Sequence, residues 1–508
     1  MSALVPADVH HLVVSGLSWF DVGVLFYFLA INSSYLLLVA LAAMEFGRLL
    51  RRVPFAGYDE AYASPLTLPV SVVVPAYNER AGIIEAVRGM LSLRYPQMEI
   101  VVVDDGSTDD TVALLTSAFE LRPVPRRVPE DVPTRGEVLE VLMSGLVPLT
   151  VVRTTNSGRS DSLNAGVNAA RYPLVCFVDA DSILDPESLL TVSKPFADDP
   201  ARVVATGGVV RVVNDCPVSH GRVTEVRVPR GWLPRIQTVE YLRAFLMGRT
   251  GWSRLRALAI ISGAFGMFRR DVVVEVGGLD PTNLGEDFDL VTRIHRRMRD
   301  QKRPYRVVFV GEPVVWTEVP PTLDVLRRQR KRWHRGLAQT LWRHRRMIGN
   351  PRYGRIGLVA LPYYVVFELI APLIELAGLI ALALGLAVGA VNVPFALLFG
   401  AVAVGYSFLI TLASLALEEF SFHRYRRWGD LGVLVLASLV ENLGYRQLTA
   451  VWRLEGLWEQ LRGQGYEWGA MTRVGFGTPT PPAVPGPLAV PEAPAGDGDS
   501  SLAVEAAR

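Results

Sequence analysis

The chain has 508 residues, which exceeds what one hydrophobic core usually organises, so we expect two or more structural units. It carries 52 lysine and arginine residues against 50 aspartate and glutamate residues, and a net charge of +2 gives no basis for nucleic-acid binding over the whole chain. Two cysteines, Cys176 and Cys216, are too few for a disulfide framework or a four-thiolate zinc site, as is typical of a reducing compartment.

Two stretches in different parts of the chain are candidates for membrane-spanning helices. Residues 22–44 are 23 residues without a charge, and as a helix they extend about 34 Å, enough for a hydrocarbon core of about 30 Å. Residues 431–451 are also apolar but contain Glu441, Asn442 and Arg446, so they are predicted to form either a span or an interfacial helix.

A longer apolar stretch, residues 358–417, predicts two further spans joined by a tight turn around Asn392. Its two charged residues, Glu368 and Glu375, are seven positions apart and therefore share one helix face. Because charges are costly in lipid, this face is predicted to look into the protein or into a polar conduit.

Basic residues flank the region between these spans. Arg48, Arg51 and Arg52 follow the first span, and residues 322–355 hold 11 lysine and arginine residues against one aspartate. Cytoplasmic segments carry such an excess of positive charge. Residues 48–355 are therefore predicted to lie in the cytoplasm.

The predicted organisation of the chain has six parts. They are an N-terminal segment with the first span (1–47), a cytoplasmic domain (48–320), an interfacial helix region (321–355), two or three spans (356–452), an amphipathic segment (453–477) and a tail that lacks the apolar content to fold (478–508).

The predicted cytoplasmic domain alternates β-branched apolar runs with helical patterns. The runs 70–75, 99–104, 149–153 and 174–179 are unbroken, as expected of strands buried on both faces of a parallel sheet. We therefore predict an α/β fold with a doubly wound parallel sheet. The proline-rich stretch 122–148 interrupts the alternation and is predicted to be a surface insertion.

Acidic and polar residues follow three of these strands. In an open parallel sheet, ligands bind beyond the carboxyl ends of the strands, so these residues are expected to meet in one crevice. Carboxylates at one site repel each other unless a divalent cation joins them, and Mg²⁺ or Mn²⁺ bound together with a diphosphate is the expected arrangement. Taken alone, the pair at 104–105 also fits a turn and a helix cap. The residues are Tyr77, Asn78, Glu79, Asp104, Asp105, Asp179 and Asp181.

Two common phosphate-binding motifs are absent from the sequence. It contains neither GxxxxGK[ST] nor GxGxxG after a strand, which argues against a P-loop ATPase and a dinucleotide enzyme. Residues 156–166 follow a predicted strand and open a helix, where free backbone N–H groups and Arg159 could meet a diphosphate. An ordinary capped helix with a solvated arginine fits this segment equally well.

Taken together and in order, the motifs of the cytoplasmic region resemble those of a known family, the membrane-embedded family 2 glycosyltransferases that make cellulose, hyaluronan and poly-N-acetylglucosamine from UDP-sugars. The sequence SGAF at 262–265 is most similar to the poly-N-acetylglucosamine branch. The matching motifs are 75–79 (PAYNE), 104–107 (DDGS), 159–166 (RSDSLNAG), 179–181 (DAD), 262–265 (SGAF), 285–287 (GED) and 329–333 (QRKRW).

The resemblance implies a GT-A nucleotide-sugar-binding domain inserted between transmembrane helices of a bacterial inner membrane. It also implies an inverting, processive polymerase whose best candidate donor is UDP-N-acetylglucosamine, and any activator would need another subunit. Asp181 would hold Mg²⁺ or Mn²⁺ at the diphosphate, and Asp287 would be the general base that deprotonates the acceptor hydroxyl. Trp333 and Glu286 would contact the acceptor, the growing polysaccharide. The residues implied to contact the UDP-sugar are Tyr77, Glu79, Asp105, Arg159, Asp179, Gln329 and Arg332.

Simpler explanations remain open for three of these features. Glu286 and Asp287 also fit a surface acidic pair at a helix start, stabilised by the helix dipole. The helix that carries 329–333 also fits a basic helix lying on a membrane surface. The family usually has lysine where this sequence has Arg159, and a planar fork in place of a point donor leaves the geometry of that contact open.

Three other functions fit less of the sequence. A membrane-anchored phosphatase of the haloacid dehalogenase type would use the DAD motif at 179–181. That chemistry places the motif on the first strand, whereas here predicted strands with their own acidic residues precede it. A nonprocessive transferase that adds one sugar to a lipid or lipid phosphate fits the cytoplasmic motifs, whereas a QxxRW motif followed by spans favours chain extension. A transporter or structural membrane protein leaves the acidic residues without a role.

The charge pattern predicts the orientation of the chain in the membrane. A reporter inserted near Asn392 should be labelled from outside the cell, and reporters within residues 60–350 should be labelled only after permeabilisation, because both basic clusters flank the same region. The measurement is thiol-reagent or protease accessibility in intact and permeabilised cells. The opposite labelling pattern would contradict the predicted cytoplasmic orientation.

Overall fold

A computed structural model describes residues 7–52, 58–387, 389, 393–422 and 427–465. The turn residue Asn392 and the tail 478–508 lie outside the described residues. The sequence-based expectations for that turn and for the tail therefore stay predictions.

The described residues form one large mixed sheet of ten strands and a separate two-stranded sheet made of β9 and β10. The order across the large sheet is β3-β4-β5-β2-β1-β6-β11-β8-β12-β7. The strands are β1 Val70–Ala76, β2 Met98–Asp105, β3 Leu121–Pro123, β4 Val138–Ser144, β5 Leu149–Thr154, β6 Leu174–Val178, β7 Ile183–Leu184, β8 Val203–Val212, β9 Val218–Ser219, β10 Arg222–Val223, β11 Phe265–Arg269 and β12 Arg306–Thr317.

The four strands predicted from the sequence form the parallel centre of the large sheet. β1 pairs in parallel with β2 on one side and with β6 on the other, and β2 pairs in parallel with β5. These strands are buried on both faces, which explains their unbroken apolar runs. The predicted α/β class is confirmed, but the sheet is not parallel throughout, because β11 lies antiparallel to both β6 and β8.

The stretch 122–148 was expected to be a surface insertion, and that expectation needs correction. Part of it forms one edge of the large sheet, where β4 pairs antiparallel with β5 and β3 pairs antiparallel with β4. Pro123 ends β3, and a proline without a backbone N–H is tolerated there because β3 is the edge strand. The prolines around it interrupted the apolar pattern and hid the strands from sequence analysis.

Helices alternate with the strands between residues 70 and 317 and form the apolar segments on either side of them. Short 3₁₀ or π-helical turns lie at 242–249, 345–347, 351–353, 356–360, 364–369, 401–406 and 441–445. The α-helices are α1 Ala7–Arg52, α2 Tyr58–Ala63, α3 Ile83–Leu91, α4 Thr111–Phe119, α5 Arg159–Ala169, α6 Ser188–Asp198, α7 Trp232–Tyr241, α8 Thr250–Arg254, α9 Arg270–Glu275, α10 Glu286–Asp300, α11 Leu323–Arg343, α12 Leu361–Tyr363, α13 Ala371–Ala387, α14 Val393–Gly400, α15 Ser407–Phe422, α16 Trp428–Val440 and α17 Arg446–Leu461.

Three helical segments of the described chain are long and apolar enough to cross a membrane. They are Ser15–Arg48, Ile356–Ala387 and Val393–Phe422, and they coincide with the three spans expected in 22–44 and 358–417. The segment 431–451 is not among them. It consists of α16 and the start of α17, separated by non-helical backbone at Leu443 and Gly444.

The charged face predicted for the second span does look into the protein. The Glu368 carboxylate lies 3.6 Å from the guanidinium of Arg453, and the Glu375 carboxylate lies 3.7 Å from that of Arg446. The hydroxyl of Tyr35, in the first span, donates to Glu368 over 3.3 Å. The two acids therefore connect α17 and α1 to the second span.

Helix α5 packs closely on the parallel strands, and its first residue is Arg159. A β-carbon at Gly166 would lie 2.1 Å from Cγ1 of Val73 and 3.2 Å from Cγ2 of Val103. Only a glycine allows this approach of the helix to β1 and β2. The close packing fixes the start of α5 at the carboxyl edge of the sheet.

Candidate active site

The loops that follow β1 and β2 are tied to each other by hydrogen bonds at Asn78 and Glu79. This residue adopts a left-handed conformation with φ of 55°, and its Oδ1 accepts from the backbone N–H of Thr108 over 2.8 Å. The backbone N–H of Glu79 donates to Oγ1 of Thr111 over 2.9 Å. Beside them, the side chain of Tyr77 is 49% exposed, so its ring is available to a ligand.

Asp105, at the end of β2, holds the loop that leads into α5. One carboxylate oxygen accepts from the backbone N–H of Ser157 over 2.8 Å, and the other accepts from that of Gly158 over 2.9 Å. The side chain is buried, and burial raises the pKa of this carboxyl, although the two backbone donors oppose the rise. The three loops after β1, β2 and β5 therefore meet at one edge of the sheet.

Arg159 lies at the centre of this edge and joins two carboxylates from different segments. Its Nε and Nη2 donate to Oδ1 of Asp179 over 2.9 and 2.6 Å, and its Nη1 donates to Oε1 of Glu286 over 2.5 Å. Its Nη2 also donates to the carbonyl oxygen of Gly263 over 2.7 Å. Burial alone would lower the pKa of Arg159, but Asp179 and Glu286 outweigh it and raise the pKa above its ordinary value. The planar fork that replaces the usual lysine thus serves three acceptors at once.

The two acids predicted at the start of α10 have different surroundings. Glu286 is buried, and this burial raises the pKa of its carboxyl, although Arg159 opposes the rise. Asp287 accepts from the backbone N–H of Gly263 over 3.1 Å and from that of Phe288 over 2.8 Å. Glu286 is not an exposed surface acid, as the simpler explanation required, because it is buried against Arg159.

Gly263 was not identified as a functional residue from its type. Its carbonyl oxygen accepts from Arg159, and its N–H donates to Asp287. The only sequence signal was its place in the SGAF motif, since the role belongs to the backbone. Through Gly263 the structure brings together Arg159, Asp179, Glu286 and Asp287.

The QxxRW residues lie on α11, which confirms the helix expected for them. Gln329 is buried, and its Oε1 has no hydrogen-bond partner among the residues that the structure describes. Arg332 is close enough to Glu286 to favour the ionised form of that carboxylate. Trp333 is 41% exposed, and the guanidinium of Arg330 lies 4.9 Å from the centre of its ring. Gln329 is thus buried and Arg332 half-buried, while Trp333 offers part of its ring to solvent.

The chemistry of the acidic residues fits a divalent cation that arrives with a diphosphate. Among the described residues, no three His, Cys, Asp or Glu side chains are grouped to hold a metal ion. Asp181 is half-buried, and its neighbour Asp179 is bound to Arg159. Mg²⁺ commonly uses one or two protein carboxylates and takes its remaining ligands from phosphates and water. Asp181 therefore fits a metal site that nucleotide oxygens complete.

A cavity of about 650 Å³ adjoins these groups, a size typical of a small-molecule site. Arg159 and Glu286 lie in its wall. Further lining residues come from the loop before α5, from the loop before α10, from α11 and from the end of α17 with the residues that follow it, and five of them carry amide side chains. The amide residues are Asn156, Asn283, Gln339, Gln460 and Gln464.

The fold is that of a GT-A-type glycosyltransferase domain, flanked in the chain by helices that are long and apolar enough to cross a membrane. The chain belongs to the family described as glycosyltransferase-like family 2, whose model matches residues 68–336. The match extends from the start of the sheet to the QxxRW helix.

Known relatives include poly-β-1,6-N-acetyl-D-glucosamine synthases. The protein from Staphylococcus aureus (strain COL) is 28% identical over 276 residues, which is 54% of this chain and 56% of the relative. The protein from Staphylococcus epidermidis is 26% identical over 274 residues, with the same shares covered. The match thus spans about half the length of these relatives.

Among solved structures, the mannosyltransferase PcManGT from Pyrobaculum calidifontis, in complex with GDP-Man and Mn²⁺, is 23% identical. The comparison covers 80% of this chain and 99% of that structure, with a TM-score of 0.47.

The buried Arg159 predicts a large effect of its removal on stability. Arg159→Gln leaves Glu286 buried without its cation, and breaking such a pair typically costs about 3 to 5 kcal/mol. We expect a lower thermal unfolding midpoint in detergent, with partial recovery in the double variant Arg159→Gln/Glu286→Gln. The control is Arg88→Gln, whose ion pair with Glu85 is exposed and should contribute less than about 1 kcal/mol. An unchanged midpoint for Arg159→Gln would contradict the role of this ion pair.

Proposed function

We propose that this chain is an inverting, processive β-glycosyltransferase that polymerises a UDP-activated sugar, UDP-N-acetylglucosamine, and passes the polysaccharide across the bacterial inner membrane. Membership of glycosyltransferase-like family 2 supports the reaction class. Similarity to the poly-β-1,6-N-acetyl-D-glucosamine synthases supports the sugar and the polymer. The observation that carries the proposal is the group formed by Arg159, Asp179, Glu286 and Asp287 around Gly263.

Asp287 is the proposed general base. Its two oxygens accept backbone N–H bonds from Gly263 and Phe288, and each oxygen keeps a lone pair for a further donor. An acceptor hydroxyl bound beside it transfers its proton to the carboxylate as the hydroxyl oxygen bonds to the anomeric carbon. The bond from that carbon to the diphosphate oxygen breaks, UDP leaves with the electron pair, and attack from the opposite face inverts the anomeric centre.

The donor side of the reaction falls to the strand-end residues. In this proposal Tyr77 and Asp105 contact the uridine, and Asp179 contacts the nucleotide sugar. Asp181 would hold Mg²⁺ or Mn²⁺, and when bound the cation supplies positive charge to the departing diphosphate. Glu79, Arg159, Gln329 and Arg332 complete the donor contacts.

Chain extension requires that the terminal sugar stay bound after each addition. Trp333 is the proposed holder of that sugar, because an aromatic face that remains 41% exposed can stack on a pyranose ring. Glu286 is paired with Arg159 and lies near Arg332 of α11. In this proposal it contacts the same acceptor sugar. The three apolar helical segments would surround the path of the polymer.

The role of Asp287 can be tested by substitution. Asp287→Asn should abolish sugar transfer while UDP affinity stays within about threefold of wild type, since a lost base affects the chemical step and not nucleotide binding. The measurements are UDP release and UDP binding by calorimetry. Asp271→Asn, at an exposed site, is the control and should retain wild-type turnover. Turnover of Asp287→Asn above a few per cent of wild type would remove this residue from the role of base.

Product length distinguishes a polymerase from a single-sugar transferase. Wild-type protein given labelled UDP-N-acetylglucosamine should make long products, and Trp333→Ala should lose them while donor binding and slow donor hydrolysis persist. The control is Trp342→Ala, because Trp342 lies on the same helix and is 72% exposed. Gel separation of products, with UDP release measured in parallel, reports both activities. Wild type that adds one sugar only would instead favour the nonprocessive transfer to a lipid acceptor.

A further inference from the structure

The loop before α10 touches α11 through two glycines. A β-carbon at Gly336 would lie 2.5 Å from the backbone nitrogen of Gly285 and 2.8 Å from the carbonyl carbon of Leu284. In the other direction, a β-carbon at Gly285 would lie 3.0 Å from the carbonyl carbon of Gly336. Real β-carbons do not approach other atoms as closely as 2.5 Å. The backbone that leads into Asp287 therefore rests directly on the backbone of α11.

Hydrogen bonds donated to the next turn of α11 hold the same loop. Nδ2 of Asn283 donates to Oγ1 of Thr340 over 3.0 Å, and both side chains are buried. The backbone N–H of Leu284 donates to Oε1 of Gln339 over 2.9 Å. Oδ1 of Asn283 accepts from the N–H of Gly285 over 2.9 Å. α11 thus holds Asn283 and Leu284 directly, and Asn283 in turn holds Gly285.

A buried hydrogen bond holds the first turns of α10 to the residue that follows α11. Nε2 of His344 lies 3.0 Å from Oδ1 of Asp289, and both side chains are buried. Nε of Arg293 donates to the other oxygen of Asp289 over 2.7 Å. Burial alone would raise the pKa of Asp289, but His344 and Arg293 outweigh it and lower the pKa below its ordinary value. Asp289 is only two residues beyond Asp287 in the same helix.

These contacts lie along the stripe of α11 that begins with the QxxRW motif. Gln329, Trp333, Gly336 and Thr340 are separated by steps of four, three and four residues, which places them on one face of the helix. One side of one rigid helix therefore carries both the proposed acceptor holder and the contacts to the loop of the proposed base.

We infer that Gly336 and Thr340 are positioning residues, which fix Asp287 relative to the acceptor held by α11. The inference rests on the proposed function of Asp287 as base. In the proposed function most donor contacts come from loops of the sheet, with Gln329 and Arg332 added from α11, whereas the loop that leads into the base is held by α11 alone among the described helices. Alignment of base and acceptor then depends on the contact of Gly336 with Gly285 and on the Thr340–Asn283 hydrogen bond. A displacement of about 1 Å at such a site can lower the rate about a hundredfold.

The first test is Gly336→Ala. The added methyl group must push the Gly285 backbone away, so kcat should fall between about tenfold and a hundredfold while KM for UDP-N-acetylglucosamine stays within about twofold. The control is Gly145→Ala, where a β-carbon meets nothing within 4 Å and wild-type kinetics are expected. Equal kcat in Gly336→Ala and wild type, or a fall in kcat matched by an equal rise in KM, would overturn the inference.

A second set of variants keeps the test meaningful if Gly336→Ala fails to fold. Thr340→Val removes the hydroxyl with little change of shape and should lower kcat, whereas Thr340→Ser keeps the hydroxyl and should restore it. Asn283→Ala and Thr340→Val should have non-additive effects on kcat, because they remove the same hydrogen bond. Additive effects, or no recovery with serine, would overturn the inference.

Hydrogen–deuterium exchange tests the positioning by α11 independently of the proposed function, because the measurement needs no enzymatic turnover. The amides of Leu284 and Gly285 should exchange faster in Thr340→Val than in wild type, and those of β2 should not change. Wild type without transfer from any UDP-sugar would overturn the proposed function. Unchanged exchange at Leu284 and Gly285 would overturn the positioning by α11, whatever the activity.

Discussion

The buried contact of one guanidinium with two carboxylates is the interaction on which the rest of the site depends. Asp179 follows β6, Glu286 begins α10, and Arg159 begins α5, so three segments distant in sequence meet at this point. Without the cation, two carboxylates in a poorly solvated crevice would repel each other and favour protonation. A lysine would bring the charge but could not present three N–H groups in one plane. The arginine thus explains how both acids can remain beside a third, Asp287.

The fold was predictable from sequence where burial alone determines structure. The central strands β1, β2, β5 and β6 are buried on both faces, and their short, β-branched apolar runs are typical of a parallel sheet. The edge strands β3 and β4 were missed because an edge tolerates proline and exposed residues, which read as a loop. The antiparallel β11 was missed because a short buried run does not encode strand direction.

The candidate site was predictable where side-chain type carries the chemistry. Arg159, Asp179, Glu286 and Asp287 do lie together, as their motifs implied. Sequence could not predict that Asp105 binds the backbone of Ser157 and Gly158, or that Gly263 serves both Arg159 and Asp287. These contacts depend on the conformation of backbone groups, which every residue type except proline provides. The break at Gly444 in the expected third apolar stretch was hidden for the same reason.

The strands at the two edges of the large sheet are short, and this limits edge-to-edge association between copies of the protein. β7 has two residues at one edge, and β3 has three at the other, including Pro123. A long edge strand offers a row of unpaired N–H and C=O groups to which another chain can add. A protein confined to the plane of a membrane meets other copies of itself far more often than a freely diffusing one does. Because both outermost strands are this short, they offer few unpaired backbone groups through which neighbouring copies could join their sheets.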